Sequence, residues 1–211
     1  MARHADWYFD FISPYAYLQF KHLHKLPEDL ELSLKPVLFA GLLGHWQHKG
    51  PAEIPAKRVQ TYRYCHWLAK KLGVPFKTPP AHPFNPLRVL RLACALDGDH
   101  AVVEALFNFV WGTGGDVGDD AALGKLAARF GVTDLAATIG SDQVKDALRT
   151  NTEAAIARGV YGVPTFAIDE QLFWGFDTTD MLLDYLADPA LMHSGEMQRL
   201  ANLPTAATRK I

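Results

Sequence analysis

The sequence has only two cysteines among its 211 residues, Cys65 and Cys94. They are far apart and form no Cys-x-x-Cys pair, so neither a disulfide framework nor a zinc site is expected. Both lie within apolar helical patterns and are most simply explained as core residues. Such sparing use of cysteine fits a reducing compartment, and we predict a cytoplasmic protein.

An excess of one charge and long apolar runs are also missing. The 21 basic and 23 acidic residues give a net charge of -2, so no basic footprint argues for nucleic acid or an anionic membrane surface. No run approaches the ~20 apolar residues needed to span a bilayer, and the first residues, MARHADWYFDF, carry no apolar stretch behind their basic residues. We therefore expect neither export nor membrane insertion, and a small molecule as the partner.

Apolar residues make up 49% of the chain, enough for a full core, and their spacing indicates a mixed α/β protein. Residues 6–11 (DWYFDF) predict a short buried strand, residues 14–26 a helix that opens with Pro14, and residues 30–38 a half-buried strand. This β-α-β order implies a parallel pair of strands. Helical periodicity then dominates the middle of the chain, at residues 56–72, 86–96, 100–111, 121–130 and 142–158.

The sheet resumes near the end of the chain. Residues 164–168 (PTFAI) and 171–174 (QLFW) flank an Asp-Glu pair and predict a hairpin, and residues 179–186 predict a last helix. The expected fold class is α/β, with one sheet in β-α-β … β-β-α order and a large all-helical insertion. Residues 1–40 and 159–190 would form the sheet unit and residues 41–158 the insertion, with a last helix that could pack on the sheet. Residues 191–211 would form a loosely held tail.

Two interpretations of Ser13 stay open at this level. Serine followed by Pro14 is a common helix start, with serine as the N-cap and proline at the first helical position. In the predicted order of elements, however, Ser13 also lies between the end of a strand and the positive end of a helix, where a ligand anion is stabilised. The residue is therefore a structural cap, a ligand-binding residue, or both.

A second segment, GVYGVPTF at residues 159–166, places a proline at the start of a strand. In the common trans form, Pro164 would simply mark a strand edge. If the Val163-Pro164 bond is cis, the backbone N–H and C=O of Val163 turn away from the sheet and can pair with an extended, peptide-like ligand.

Several of these motifs occur in one order, and together they resemble a known family. The stretches are FDFISPYAY (9–17), IPAKR (54–58), HPFNPLR (82–88), GVPTF (162–166) and WGFDTTDML (174–182). The resemblance is to the DsbA-like branch of the thioredoxin superfamily, and within it to kappa-class glutathione transferases and 2-hydroxychromene-2-carboxylate isomerases. It extends from about residue 6 to residue 186 and implies a thioredoxin-like sheet with a helical insertion.

The resemblance implies glutathione as the cofactor. Thioredoxin-like oxidoreductases carry a nucleophilic cysteine where this chain has Ser13, so disulfide exchange is excluded at this turn. The serine hydroxyl would instead donate to the thiolate of glutathione and lower a thiol pKa that starts near ~8.5. The backbone of Val163 would pair with the cysteinyl part of glutathione, and Asp177 would accept its α-amino group. The kappa class commonly carries serine at the position of Phe176.

The other implied site residues complete this expectation. Lys57 would approach the glycine carboxylate of glutathione, and His48 falls where the kappa class has a polar side chain. Asn85 would hold a substrate oxygen or an ordered water, and Arg88 or Lys57 would bind the substrate carboxylate. The structural alternatives are helix caps for Asp177 and Asn85 and a solvated helix face for Lys57. No metal ligands are expected.

The expected activity is a glutathione-dependent isomerisation of an aromatic carboxylate. The substrate would be 2-hydroxychromene-2-carboxylate, converted to trans-o-hydroxybenzylidenepyruvate in the breakdown of naphthalene. Covalent addition of the thiolate replaces a double-bond rotation by an easy single-bond rotation. The alternatives are a kappa-class glutathione transferase, which would release a conjugate, and a non-catalytic DsbA-like binding module in which Ser13 is only a cap. The family also implies a homodimer.

Overall fold

The computed structural model describes residues 3–207, and a four-stranded mixed sheet lies at its centre. The strands are β1 (Arg3–Phe9), β2 (Leu30–Pro36), β3 (Thr165–Ile168) and β4 (Gln171–Trp174), in the spatial order β2-β1-β3-β4. β1 pairs with β2 in parallel and with β3 antiparallel, and β3 pairs antiparallel with β4. Both ends of the chain thus build one sheet, which confirms the predicted fold class.

Helices connect and cover the sheet. α1 (Pro14–Phe20) joins β1 to β2, whereas α9 (Thr179–Ala187) and α10 (Gly195–Ala201) follow β4. Between β2 and β3 the chain forms α2 (Phe39–His45), α3 (Pro55–Leu72), α4 (Leu87–Ala95), α5 (His100–Phe107), α6 (Asp120–Ala128), α7 (Leu135–Gly140) and α8 (Asp142–Ala157). A π-helical segment, Asn108–Gly112, continues α5. No helix within residues 3–207 is long and apolar enough to cross a membrane.

The alternation of side chains along β1 creates a core on each face of the sheet. Trp7 and Phe9 are fully buried on one face, where they pack against Phe107 of α5. Tyr8 lies on the opposite face, in a smaller core with Ala155 of α8 and Ala167 of β3. α8, the last helix before β3, therefore packs on the sheet. The division into a sheet unit and a helical insertion stays a prediction.

Two predicted strands end earlier than expected, and a polar contact explains each case. β1 ends at Phe9 instead of residue 11, because the Asp10 side chain accepts the N–H of Ile12 (3.0 Å) and bends the chain. β2 ends at Pro36 instead of residue 38, because the N–H of Leu38 donates to the hydroxyl of Thr152 in α8 (3.0 Å).

One predicted helix ends earlier than expected, and one helix was not predicted. α1 ends at Phe20 instead of residue 26, since the N–H of His22 bonds to the Gln19 carbonyl (2.8 Å) and the chain tightens into a 3₁₀ turn. The segment from residue 194, predicted as a loose tail, contains α10, for which Ser194 is the N-cap. None of the α10 residues is buried, so local contacts hold this helix. Residues 208–211 of the predicted tail lie outside the described residues.

Candidate functional site

Ser13 closes the turn between β1 and α1. Its hydroxyl oxygen accepts the N–H of Ala16 (3.2 Å), which makes Ser13 the N-cap of α1 with Pro14 at the first helical position. The same oxygen lies 3.4 Å from the carbonyl oxygen of Val163, a long distance for a hydroxyl donor. Ser13 is only 8% exposed. Its proton is therefore sheltered from solvent and only weakly engaged.

Asp10 holds this turn from inside the protein. Its carboxylate is fully buried and accepts the N–H groups of Ile12 (3.0 Å) and Phe39 (2.9 Å), while its backbone carbonyl accepts the N–H of Ser13 (3.0 Å). Burial raises the pKa of Asp10 to about 7, although the two N–H bonds act in the opposite direction. Asp10 thus ties the Ser13 turn to the start of α2.

Two side chains from the region between β2 and β3 bind the carbonyl groups of the same turn. Trp111 donates its indole N–H to the carbonyl of Phe11 (2.7 Å), and Nε2 of His82 donates to the carbonyl of Ile12 (2.8 Å). Nδ1 of His82 (2.7 Å) and the His82 carbonyl (2.9 Å) both lie within hydrogen-bond distance of the Tyr62 hydroxyl, whose single proton bonds to one of them at a time. Burial lowers the pKa of His82. A neutral ring with its proton on Nε2 satisfies the Ile12 carbonyl, which can only accept.

Val163 presents its backbone to the Ser13 turn. The Val163-Pro164 peptide bond is cis, and the Val163 carbonyl faces the Ser13 hydroxyl. Within residues 3–207 the N–H of Val163 bonds to no acceptor. The next carbonyl, that of Pro164, accepts the N–H of Gly175 (2.8 Å) and belongs to the sheet region. Val163 therefore offers the backbone groups that an extended peptide needs for pairing.

Asp177 follows a bend at Gly175, whose φ of 93° is in the left-handed region that glycine tolerates. A Cβ atom at Gly175 would lie 2.5 Å from Oδ1 of Asp177. The alternative role of Asp177 as a helix cap does not hold, because Thr178 is the N-cap of α9 and no side chain caps this helix. Burial raises the pKa of Tyr15, and the charge of Asp177 adds to that rise, so this carboxylate lies near α1. It is exposed, and no donor within residues 3–207 bonds to it.

His48 and Lys57 lie on the surface. Nε2 of His48 is 3.1 Å from the carbonyl of Tyr161, so the structure brings His48 to the segment that contains Val163. Lys57 is exposed in the first turn of α3. No carboxylate in the described part of the chain pairs with it. Contact with a ligand stays a prediction for both residues.

Asn85 and Arg88 are engaged in local contacts. The Asn85 side chain accepts the N–H of Leu87 (3.0 Å), the first residue of α4, although Pro86 and not Asn85 is the N-cap of this helix. Arg88 donates to the carbonyl of Gly118 (3.2 Å) and forms an ion pair with Asp120. Arg88 therefore contacts the start of α6, and its binding of a substrate carboxylate stays a prediction.

Phe176 and the two cysteines belong to the interior. The ring of Phe176 contacts His22 edge-on at 5.5 Å and packs against the main core. Phe176 therefore has a packing role at the position where the kappa class commonly carries a serine. Burial raises the pKa of Cys65 and of Cys94 to about 12, which makes both thiols inert near neutral pH. Within residues 3–207 no cluster of three His, Cys, Asp or Glu side chains could hold a metal ion.

The match to a protein family covers most of the chain. The family described as "DSBA-like thioredoxin domain" matches residues 5–187, which include the Ser13 turn, all helices from α1 to α9 and the hairpin. The chain belongs to the DsbA-like thioredoxin family. This DsbA-like protein has serine at the turn, and its two cysteines, buried Cys65 and partly buried Cys94, are free thiols.

The relatives of this DsbA-like protein include named enzymes. The 2-hydroxychromene-2-carboxylate isomerase of Sphingobium xenophagum is 30% identical over 196 residues, covering 89% of this chain and 100% of the relative. Glutathione s-transferase kappa 2 of Caenorhabditis elegans is 26% identical over 207 residues, covering 88% and 92%. A solved structure of selenomethionine-labelled 2-hydroxychromene-2-carboxylate isomerase matches with a TM-score of 0.77 at 25% identity, covering 96% of this chain and 100% of that one. These similarities confirm the predicted family and fold and bear out the prediction of an isomerase.

Sequence reasoning did not single out Asp10, His82 or Tyr62. Asp10 stands within the apolar run of the predicted strand at residues 6–11, and a carboxylate there is itself a signal of a specific hydrogen-bonding role. His82 lies inside the HPFNPLR motif, in which Asn85 is the predicted site residue. Nothing local indicates that Tyr62, twenty residues earlier, binds the His82 ring.

Proposed function

We propose that this protein is a glutathione-dependent isomerase that interconverts 2-hydroxychromene-2-carboxylate and trans-o-hydroxybenzylidenepyruvate. The observation that carries the proposal is the juxtaposition of Ser13 and Val163. A weakly held hydroxyl lies 3.4 Å from the Val163 carbonyl, beside a backbone N–H that has no partner within residues 3–207. This arrangement suits a ligand that is a peptide and carries a thiol. The named isomerase relative supports the choice of reaction.

The polar groups around Ser13 fit the parts of glutathione. Val163 offers N–H and C=O to the cysteinyl residue, as in pairing with an added strand. Asp177 has an exposed carboxylate without a donor in the described part of the chain, and a carboxylate suits the γ-glutamyl ammonium group. Lys57 offers an ammonium donor to the glycine carboxylate, and His48 offers a polar side chain next to Tyr161.

Ser13 would stabilise the ionised form of the bound thiol. Its hydroxyl gives up a long contact to the Val163 carbonyl and donates to sulfur instead. A decrease of about two units in a thiol pKa of ~8.5 requires about 2.7 kcal/mol. One hydrogen bond to a charged group contributes about 1.5–3 kcal/mol, which is the required size. When bound, glutathione supplies a thiolate that adds reversibly to the conjugated substrate.

Reversible addition distinguishes an isomerase from a transferase. Because substrate and product are isomers, glutathione leaves the reaction unchanged. The protein holds the thiol and the aromatic acid in contact while the bond that has become single rotates. A kappa-class transferase is the second candidate, because Glutathione s-transferase kappa 2 is similar over 88% of this chain. It would use Ser13, Val163 and Asp177 in the same way but release a conjugate.

The first experiment compares turnover with and without glutathione. Purified protein is mixed with 2-hydroxychromene-2-carboxylate, the ultraviolet spectrum is followed, and the products are weighed by mass spectrometry. We expect interconversion that depends on glutathione and yields no conjugate. A stoichiometric conjugate would identify a transferase instead. Protein that neither binds glutathione in calorimetry nor changes the spectrum would be a non-catalytic module, and the proposal would be wrong.

The second experiment separates the two roles of Ser13. Ser141 is the N-cap of α8, as Ser13 is of α1, so the two serines form a matched pair. Ser13→Ala and Ser141→Ala should each lower the free energy of unfolding by about 1 kcal/mol. Only Ser13→Ala should lower turnover, by about tenfold to a thousandfold, as when one preorganised donor is removed. Equal turnover of both variants would leave Ser13 as a cap alone.

We also propose that the enzyme is a cytoplasmic homodimer that acts in the breakdown of naphthalene and related aromatic compounds. The dimer is tested by sedimentation equilibrium, where a species of twice the chain mass of 23.4 kDa is expected. A species of the chain mass at micromolar concentration would contradict it.

A further inference from the structure

Arg58 is a half-buried cation without a partner. It lies in the first turn of α3 and makes no ion pair or side-chain hydrogen bond within residues 3–207. The first turn of a helix disfavours cations because the helix dipole is positive there. This turn carries both Lys57 and Arg58 and no acidic residue. The stability of the helix therefore does not explain a guanidinium at this place.

The face of α3 that carries Arg58 points to the Ser13 turn. Arg58 and Tyr62 are four residues apart and lie on the same helix face. Tyr62 bonds to the His82 ring (2.7 Å), and His82 donates to the carbonyl of Ile12 (2.8 Å), the residue before Ser13. The chain of contacts from α3 thus ends one residue from the proposed catalytic hydroxyl.

The charge of Arg58 acts on both members of this chain of contacts. Burial lowers the pKa of His82, and the positive charge of Arg58 lowers it further. Burial raises the pKa of Tyr62, and the same charge opposes that rise. Neither partner is an anion near neutral pH, and among residues 3–207 no carboxylate pairs with the guanidinium.

Arg88 and Lys57, the two cations predicted to bind the substrate carboxylate, are less favourably placed than Arg58. Arg88 is paired with Asp120. Lys57 precedes Arg58 by one residue, which rotates it by about 100° around the axis of α3, and its side chain is exposed. Arg58 is therefore the unpaired cation on the face that leads to Ser13.

We propose that Arg58 binds the carboxylate of the acid that reacts at the Ser13 turn. This inference rests on the proposed function, in which the substrate is an aromatic carboxylate. A guanidinium holds a planar carboxylate through two parallel N–H···O bonds, which fixes the orientation of the ligand as well as its position. Glutathione also ends in a carboxylate, so the experiment must separate the two sources of this group.

The test compares two arginines of one helix. Arg58→Met keeps an apolar side chain and removes the guanidinium, and Arg63→Met makes the same change at an exposed position on a different face of α3. Arg58→Met should raise the KM for the aromatic acid about tenfold to a hundredfold, the loss expected for a hydrogen-bonded charge pair. A matching rise in the Kd of glutathione instead would assign Arg58 to the glycine carboxylate. If neither constant changes relative to Arg63→Met, the proposal is wrong.

A second readout does not depend on turnover. Coumarin-3-carboxylate and uncharged coumarin share a bicyclic ring, and their binding to glutathione-saturated protein is followed by tryptophan fluorescence. Arg58→Met should weaken binding of the carboxylate about tenfold or more and leave that of coumarin unchanged. Equal weakening of both, or no binding of the carboxylate by the unmodified protein, would overturn the proposal. If the protein binds the carboxylate through Arg58 but shows no turnover, the proposed isomerase activity is wrong. The proposal that Arg58 binds a carboxylate would then still hold.

The pKa of His82 tests whether Arg58 lies beside the pair of His82 and Tyr62. Loss of its charge should raise the pKa of His82, followed through the ring protons by nuclear magnetic resonance, whereas Arg63→Met should leave that pKa unchanged. An unchanged pKa in Arg58→Met would contradict the position of Arg58 beside the pair of His82 and Tyr62.

Discussion

Replacement of Asp10 tests how this buried carboxyl group stabilises the Ser13 turn. This carboxyl group is completely buried, and its oxygens accept the N–H groups of Ile12 and Phe39 at 3.0 and 2.9 Å. Burial raises its pKa from 3.8 to about 7. The folded protein therefore holds the Asp10 proton more tightly than the unfolded chain does.

The sign of the resulting pH dependence follows from this difference. Well below the unfolded pKa of 3.8, Asp10 is protonated in both states and contributes no pH dependence. As the pH rises towards 7 the unfolded chain loses the proton first, so the free energy of unfolding falls. A shift of about three units corresponds to at most about 4 kcal/mol, a large part of the 5–15 kcal/mol that typically stabilises a folded protein.

The variant Asp10→Asn cannot ionise and should lack this dependence. Its amide keeps one acceptor oxygen but directs an NH₂ group at one of the two backbone donors, so it should be less stable than the original protein near pH 4 by about 1–3 kcal/mol. By about pH 8 that difference should vanish or change sign, because the original protein has then lost its pH-dependent stability.

Urea unfolding at about pH 4, 6 and 8 measures the effect. The control is Asp184→Asn at an exposed position of α9, which should follow the original protein at each pH. A constant difference between Asp10→Asn and the original protein across this range would refute the reasoning.

Two further predictions concern buried polar contacts that position the site. Gln19 donates to the carbonyl of Gly175 (3.0 Å), so Gln19→Leu should lower the free energy of unfolding by about 1–3 kcal/mol and weaken glutathione binding, whereas exposed Gln198→Leu should change neither. Full glutathione affinity of Gln19→Leu in calorimetry would contradict this link. Thr152 accepts the N–H that precedes α2, so Thr152→Val should cost about 1–3 kcal/mol in urea unfolding and exposed Thr150→Val close to nothing; equal stability of the two would contradict the contact.

The strands could be predicted because their signals are local. In β1 the aromatic side chains alternate between the two faces, as Trp7 and Tyr8 show, and both faces are covered. The hairpin between β3 and β4 turns at Asp169, whose φ of 50° is a conformation that aspartate adopts more easily than most residues. Short-range pattern and turn chemistry agree at these positions, so no knowledge of distant contacts was required.

The short helix α2 could not be predicted in this way. It contains two glycines within FAGLLGH, and its N-cap, Leu38, offers no side-chain cap. Its start is fixed instead by distant residues, since Asp10 accepts the N–H of Phe39 and Thr152 that of Leu38. Such a helix depends on tertiary contacts that a local pattern does not contain.

Individual site residues are likewise predictable only where local sequence determines their position. Ser13 could be singled out because its position between a strand and a helix follows from the order of elements. Lys57 and Arg58 are adjacent, and a helix turns by about 100° per residue, so the choice between them depends on which face of α3 is turned inward. That face is set by the contact of Tyr62 with His82, which sequence spacing does not reveal.

The contacts of the Ser13 turn also indicate whether the Ser13 hydroxyl acts as a nucleophile or as a hydrogen-bond donor to the ligand. A serine nucleophile needs a base within hydrogen-bond reach of its hydroxyl. Within residues 3–207 no histidine or carboxylate bonds to the Ser13 oxygen; His82 gives its Nε2 proton to Ile12, and Asp10 is occupied by backbone donors. The backbone of the turn is held firmly, with Trp111 on one carbonyl, while the hydroxyl has one long contact at 3.4 Å. A fixed backbone with a lightly held proton favours stabilising a charge on the ligand, and it leaves Ser13 without the means to become a nucleophile.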